Sequence, residues 1–323
     1  MAYIPKLSLT QSLAKLKPHN RLNNFAQKMP KYLARVQKKM IIYSQRRVRT
    51  ALSGNYGSVF KGRSMDFDDL REYAYGDDIK DIDWKATARS RNVMIRRYIA
   101  IRKHNIMIVA DSGKTMAALA PSGEKKGDIA VYCASIMAYI AQKHGDLIGC
   151  VYGDVSQTKR FRLKESTAHI ENFLSHYDHS ISLEAADSNI NQLLSYVSKM
   201  YHERMFLIII TDPATAASLN VNYVRRLGAR HEQMFILVED SQLTNKNLLK
   251  QDARNIEDNL RLPLFFRDNK KVAKAEEEYR EKQRENIRRN LRRFGVVCSF
   301  IDSSENAIQR IYTMLEEQKH ARK

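Results

Sequence analysis

The feature that most constrains the fold is a regular alternation, from residue 105 onward, of short unbroken apolar runs and longer segments with helical spacing. The first unit has an apolar run at 105–110, helix-spaced apolar residues across 128–144 and a second apolar run at 147–152. Unbroken apolar runs are typical of parallel strands that are buried on both faces, because crossover helices cover both sides of the sheet. The sequence therefore predicts an α/β fold with a doubly wound, mostly parallel sheet of the Rossmann type.

The same alternation continues to the end of the chain. It predicts further helices across 167–177, 190–201, 221–227 and 308–315, and further strands at 205–211, 233–239 and 296–301. A stretch near 268–293 interrupts it, because this stretch is dense in Lys, Arg and Glu, and it predicts a solvated helix. We expect one α/β domain over 105–323 with this charged helical insertion.

The amino-terminal residues carry most of an unusual positive charge. The chain has 55 Lys and Arg against 36 Asp and Glu, a net charge of +19, and residues 1–50 contain twelve of these cations and no acid. Apolar residues follow helical spacing from Tyr32. We expect a basic, partly helical arm over 1–53 that binds anions such as nucleic acid or a membrane surface. Its candidate anion-binding residues are Lys38, Lys39, Arg46, Arg47 and Arg49.

Polar residues follow two of the predicted strands at the edge where ligands of α/β sheets bind. Carboxylate and hydroxyl oxygens there would suit magnesium or another divalent cation. The candidate metal ligands are Asp111, Thr115, Thr167 and Asp212. The alternative is structural: both aspartates cap adjacent turns, and Lys114 supplies the only cation that they need.

The sequence predicts no enzyme and no catalytic residue. The segment ending Ser112-Gly113-Lys114-Thr115 has the end of a phosphate-binding loop, but Ile108 stands where that loop needs its first glycine. Zinc-protease and nucleophile-elbow motifs are absent, and His176 and His179 are expected at the surface. The cysteines, which have no paired spacing and are expected to be reduced and buried, are Cys133, Cys150 and Cys298.

The segment before the α/β domain alternates in charge. Eight acids fall within 66–83, and 85–103 is basic without any acid, so internal pairing with Arg89, Arg96 or Arg97 would explain the pattern. At 62–89 the sequence reads GRSMDFDDLREYAYGDDIKDIDWKATAR. This block resembles the hallmark of the domain of unknown function 58 family of bacteria and archaea, with Asp66 where Glu is usual and Lys80 where Arg is usual. The candidate interaction residues of this hallmark segment, placed over 54–104, are Arg71, Tyr73, Gly76, Asp77, Asp78, Asp81, Asp83, Trp84 and Arg89.

The resemblance has several implications. It implies that the α/β domain is von Willebrand factor A-like, with a degenerate metal-ion-dependent adhesion site in which Asp111 is the first ligand and Gly113 replaces a serine. Thr115, Thr167 and Asp212 would complete that site. It also implies a non-enzymatic adaptor that is a partner of a MoxR-type AAA+ ATPase in chaperone-like assembly or maturation of client proteins.

The apolar runs of the chain indicate its location in the cell. They are all too short for a membrane helix, and no secretory signal is evident. The expected location is the cytoplasm, with peripheral attachment to the membrane as the alternative. The competing function is binding of nucleic acid or an anionic surface through the basic arm.

Overall fold

The computed structural model describes residues 31–44, 69–75, 79, 82–90, 92–97, 103–242, 244, 256 and 269–320. Its strands, in chain order, are β1 (Asp69–Glu72), β2 (Met94–Arg97), β3 (Asn105–Asp111), β4 (Leu147–Gly153), β5 (Thr158–Lys164), β6 (Phe206–Thr211), β7 (Glu232–Val238) and β8 (Val297–Ile301). Its helices are α1 (Lys31–Ser44), α2 (Trp84–Ser90), α3 (Lys126–Lys143), α4 (Thr167–Ser180), α5 (Ile190–Met200), α6 (Pro213–Ala217), α7 (Val221–Gly228), α8 (Lys270–Arg292) and α9 (Ala307–His320). A short 3-10 helix, Lys114–Ala117, follows β3.

Six strands form one sheet in the order β5-β4-β3-β6-β7-β8. All neighbouring pairs are parallel except β4 and β5, which are antiparallel. The chain builds outward from β3 through β4 to β5 and then returns to β6 on the other side of β3. This reversal makes the gap between β3 and β6 the switch point of the sheet. The predicted doubly wound, mostly parallel α/β fold is confirmed.

Helices cover both faces of this sheet and enclose a separate apolar layer on each. Alternate residues of β3 point to opposite faces of the sheet. Ile106 and Ile108 join the layer beneath α1, α3, α4 and α9. Met107 and Val109 join the layer beneath α5, α6, α7 and α8. The two layers are called here the α3 face and the α5 face. Within the described ranges, no helix is both long and apolar enough to cross a membrane.

The edge strand β5 was not predicted from the sequence. Its cationic residues alternate with Phe161 and Leu163, and the cationic side chains are exposed while these two are half-buried. An edge strand with one solvated face lacks the unbroken apolar run that marks the central strands. It therefore escaped a search for such runs.

Helix α8 occupies the predicted charged insertion, but it is not simply solvated. Ile287 and Leu291 are buried in the layer on the α5 face. The Arg284 guanidinium pairs with both carboxylate oxygens of Glu239, just beyond β7, with Nε 2.7 Å from Oε1. One stripe of α8 is thus fixed to the domain, and the rest faces water.

Helix α1 is the described part of the predicted basic arm, and it packs on the α3 face. Leu33 and Val36 are buried there. The amides of Tyr32 and Leu33 donate to Glu171 at 3.1 and 2.8 Å, and the Tyr32 hydroxyl donates to Asp178 at 2.6 Å. This helix is therefore part of the domain surface, not a free arm.

The basic side chains of α1 have different surroundings. Arg35 and Lys39 lie over the ring of Tyr132, with Lys39 Nζ 4.9 Å from the ring centroid. Lys38 is exposed. The remaining candidate anion-binding residues, Arg46, Arg47 and Arg49, lie outside the described residues.

Candidate functional site

Two buried aspartates mark the ends of the two central strands. Asp111 ends β3, and its Oδ1 accepts the Gly113 amide at 2.9 Å while its Oδ2 accepts the Thr211 hydroxyl at 3.1 Å. Its side chain is fully buried. Burial, followed by the charge of Asp212, raises the pKa of Asp111 to about 6, although the hydrogen bonds from Gly113, Ser188 and Thr211 oppose this rise.

Asp212 follows β6 and begins α6. Its Oδ1 accepts the Thr215 amide at 2.7 Å, which caps the helix, and its Oδ2 lies 2.9 Å from the ammonium of Lys126. Burial alone would raise the pKa of Asp212, but the Lys126 ammonium, the Thr215 amide and the Thr115 hydroxyl hold it below its ordinary value. This carboxylate is therefore ionised and fully engaged.

Lys126 was not predicted as a site residue. Its ammonium is the cation at the centre of a cluster formed with Asp111, Thr115, Asp212 and Asp240. Lys126 is the first residue of α3, its side chain is completely buried, and its ammonium pairs with Asp212 and with Asp240, which follows β7. Burial alone would lower the pKa of Lys126, but the two carboxylates raise it above its ordinary value. The ammonium stays charged because both carboxylates lie within ion-pair distance of it.

A loop before α5 brings a second unpredicted residue, Ser188, against the end of β3. Its hydroxyl lies 2.7 Å from that of Thr115. A Cβ on Gly113 would stand only 2.5 Å from the Ser188 amide nitrogen and would overlap its hydroxyl. Gly113 is therefore required here by close approach of the loop, and Ser188 supplies a hydroxyl beside the position where the resemblance implies a serine.

The other metal candidate, Thr167, lies at the opposite edge of the sheet. Strand β5 runs back along β4, so Thr158 pairs with Gly153 at the carboxyl end and Lys164 pairs with Ile148 near the start. Thr167 follows at that amino edge, where its exposed hydroxyl accepts a hydrogen bond from Gln142. The cluster thus gathers Asp111, Thr115 and Asp212 but not Thr167.

The structural alternative raised for the two aspartates describes their geometry well, since each accepts an amide from the turn that follows it. That alternative named Lys114 as the cation that the two aspartates need, and this part of it was wrong. The ammonium of Lys114 pairs with Asp187 at the surface, 2.7 Å from Oδ1. The buried cation is Lys126 instead.

The residues present do not fit a divalent cation bound as the resemblance implies. Among the described residues, no group of three or more His, Cys, Asp and Glu side chains could hold a metal. Both aspartates are fully buried, and every oxygen of their carboxylates already accepts a donor. A divalent ion about 4 Å from the Lys126 ammonium would also be repelled by about 8 kcal/mol at an effective dielectric constant of 20.

The cluster meets solvent at Asp240, whose side chain is 34% exposed. A cavity of about 350 Å³ opens beside it and is lined by residues after β6 and β7 and along α8, among them Pro213, Glu239, Arg280 and Arg284. Arg280 donates to the backbone oxygens of Asp240 and Ser241 at 2.6 and 2.8 Å. Helix α8 therefore forms one wall of the opening through which Asp240 meets solvent.

The hallmark segment folds as a small unit of β1, β2 and α2. Strands β1 and β2 are antiparallel, and Asp83 caps α2 by accepting the amides of Lys85 and Ala86 at 3.0 Å. The Thr87 hydroxyl accepts the amide of Met94 at 2.9 Å and ties the helix to β2. Strand pairing and hydrogen bonds from backbone amides to the Asp83 and Thr87 side chains thus fix the unit locally.

Several large apolar side chains of this unit face solvent. Trp84 is 68% exposed and Ile79 is 66% exposed, and Tyr75 is fully exposed, so these residues do not anchor the loop in a core. Among the residues of this unit whose burial is described, Ile95 is the buried apolar one. Of the other hallmark residues, Arg71, Tyr73 and Arg89 are exposed, and Gly76, Asp77, Asp78 and Asp81 lie outside the described residues.

A comparison of this chain with models of protein families identifies its family. The model described as "Protein of unknown function DUF58" matches residues 69–256, more than half of the chain. The chain belongs to the DUF58 family. The matched residues include the hallmark unit and the strands that carry Asp111 and Asp212.

The curated relatives of this chain are described only as uncharacterized proteins. The DUF58 chain is 23% identical over 191 residues to the uncharacterized proteins Rv1480 of Mycobacterium tuberculosis and Mb1516 of Mycobacterium bovis, covering 58% of this chain and 59% of each relative. The solved structures similar to it include the conserved hypothetical protein BatB from Bacteroides thetaiotaomicron, at 15% identity with a TM-score of 0.42, covering 67% of this chain and 98% of that one. Another is the von Willebrand factor type A protein from Catenulispora acidiphila, at 11% identity with a TM-score of 0.34, covering 70% of this chain and 44% of that one.

Proposed function

We propose that this DUF58 chain is a non-enzymatic adaptor that binds a MoxR-type AAA+ ATPase and presents client proteins for chaperone-like assembly or maturation. The observation that carries the proposal is the exposed apolar surface of the hallmark unit, which consists of Leu70, Tyr73, Tyr75, Ile79, Trp84 and Val93. Large aromatic side chains at this level of exposure are typical of protein interfaces. The unit bearing them is the segment on which the family resemblance rests.

The buried cluster supports binding rather than catalysis. Asp111 and Asp212 are fully buried, so neither of these two carboxylates is open to a substrate. Lys126 is held charged between two carboxylates, whereas a general base or Schiff-base lysine needs its pKa lowered. These residues act by holding the carboxyl edge of the sheet in one conformation.

Co-purification of the full chain with a MoxR-type ATPase from the same organism tests the proposal. Trp84→Ala should reduce recovery of the complex at least tenfold, because loss of a central interface aromatic costs about 2 kcal/mol or more. Tyr279→Ala is the matched control, since Tyr279 is also an exposed aromatic, 67% exposed, but lies on α8. Equal recovery of the wild type and Trp84→Ala, or no complex at low salt, would count against the proposal.

A second candidate function is binding of nucleic acid or an anionic membrane surface. It is favoured by the exposed Lys38 on α1 and by a row of exposed cations on β5, formed by Lys159, Arg160, Arg162 and Lys164. Phosphate binding of this kind weakens steeply with salt. Deleting residues 1–30 removes the five Lys and Arg of that segment and leaves the cations of α1 and β5 in place. Undiminished binding would assign the interaction to the folded surface.

A further inference from the structure

We propose that the Lys126 ammonium is the resident cation of this site, so that the native chain takes no divalent metal there, and that shortening Lys126 converts the position into a divalent-cation site. The inference is independent of the adaptor function. It rests on the position of one buried side chain among the carboxylates that end the central strands.

The local structure holds Lys126 in this position. Its backbone amide donates to Ala118 at 2.8 Å, which fixes the start of α3 against the segment after β3. From there the side chain reaches the carboxyl edge of the sheet and ends between Asp212 and Asp240. A buried lysine with two carboxylate partners is an internal counter-ion, because a charge in this environment must be paired.

The ammonium stands where a hard cation would otherwise be stabilised. Removing it would leave one oxygen each from Asp212 and Asp240 facing the same vacated space, with Asp240 in contact with solvent. Two carboxylates completed by water are a usual environment for Mg²⁺. The nearby charge of Asp111 would increase the attraction, since it already interacts with Asp212.

Comparing Lys126→Ala with Lys126→Met distinguishes the loss of the ammonium charge from the opening of space for an ion. Both variants lose the ammonium, but only alanine leaves room for an ion, because methionine fills most of the volume of the lysine side chain. Each should lower the melting temperature by about 6–20 °C in metal-free buffer, as expected when one partner of a buried ion pair is removed. Millimolar Mg²⁺ or Mn²⁺ should restore several degrees to Lys126→Ala and none to Lys126→Met or to the wild type.

Mn²⁺ binding to the full-length proteins, followed by electron paramagnetic resonance, gives a second measurement that does not depend on melting. One Mn²⁺ should bind Lys126→Ala, and the Asp212→Asn substitution in that background should weaken binding at least tenfold. Stoichiometric Mn²⁺ binding to the wild type that Asp212→Asn abolishes would overturn the inference. So would a folded Lys126→Ala variant with no metal response. If Lys126→Ala folds only with divalent cations present, the inference is supported. If it folds neither with nor without them, the Mn²⁺ titration of the wild type decides whether the inference stands.

Discussion

Restoring the serine that the family resemblance implies at Gly113 should destabilise this protein. The backbone at Gly113 has φ −66° and ψ 167°, which any residue adopts, so the cost of Gly113→Ser is steric. A Cβ would lie 2.5 and 2.6 Å from the amide nitrogen and Cα of Ser188, where ordinary contacts lie between 3.4 and 4 Å. Because these are backbone atoms, the loop must move by about 1 Å, and overpacking on this scale costs about 1–3 kcal/mol.

Chemical denaturation and calorimetry of three variants measure this cost. Gly113→Ser and Gly113→Ala should lose similar stability, about 2–12 °C in melting temperature, because the added Cβ and not the hydroxyl causes the collision. Gly228→Ala is the control, since its Cβ would meet a single side-chain atom, Nε2 of Gln233 at 3.2 Å, and no backbone atom of another segment. It should stay within about 1 kcal/mol of the wild type.

Two results would refute this reasoning. Gly113→Ser as stable as the wild type would mean that the loop at Ser188 yields without cost. Gly113→Ser that is less stable than the wild type without metal but gains several degrees with Mg²⁺, while Gly113→Ala does not, would mean that the hydroxyl completes a cation site. The second result would also contradict the assignment of the resident cation to Lys126.

Three further predictions follow from the buried and paired groups. Burial and the charge of Asp212 raise the pKa of Asp111 from 3.8 to about 6. Protonated Asp111 therefore stabilises the native state below about pH 4, and this contribution is lost as the pH rises through 6. Asp111→Asn should therefore gain up to about 3 kcal/mol relative to the wild type between pH 4 and pH 7, measured by urea denaturation. Arg284→Lys should lose about 1–2 kcal/mol and accelerate hydrogen exchange along α8, because a lysine cannot make both bonds to Glu239. Tyr177→Phe should lose about 1–3 kcal/mol in denaturation, because the buried hydroxyl donates to the Asp111 carbonyl at 3.0 Å.

Each of these has a contradicting outcome. A pH-independent difference between Asp111→Asn and the wild type would show that the carboxyl titrates as it does in the unfolded chain. The control for Arg284 is Arg289→Lys, whose side chain is 64% exposed and should be neutral. Equal exchange in both arginine variants would show that the pair with Glu239 does not hold α8. Unchanged stability of Tyr177→Phe would mean that water or another donor replaces the hydroxyl.

The central strands and their helices could be predicted from the sequence because burial on both faces leaves an unbroken apolar run, as in β6, where every residue is buried. The convergence of Asp111 and Asp212 followed from the same pattern, since parallel strands end at one edge. Strand β5 lacked that signal, and its omission misplaced Thr167. An antiparallel edge strand returns the chain to the amino edge, so a residue that follows it cannot reach the cluster.

The charged centre of the site could not be predicted for a different reason. Lys125 and Lys126 are adjacent at the start of a helix, and the sequence alone does not say which of the two turns inward. Burial of Lys126 depends on the placement of Asp212 and Asp240, which follow strands far along the chain. Ser188 likewise lies in a polar loop with no local pattern, and only its approach to Gly113 gives it a role.

Helix α1 and helix α8 lie on opposite sides of the sheet, because Leu33 and Val36 belong to the layer on the α3 face and Ile287 and Leu291 to the layer on the α5 face. The exposed side chains of α1 and those of α8 therefore lie on opposite sides of the sheet, with both apolar layers between them. A contact made along one of these helices does not obstruct a contact made along the other.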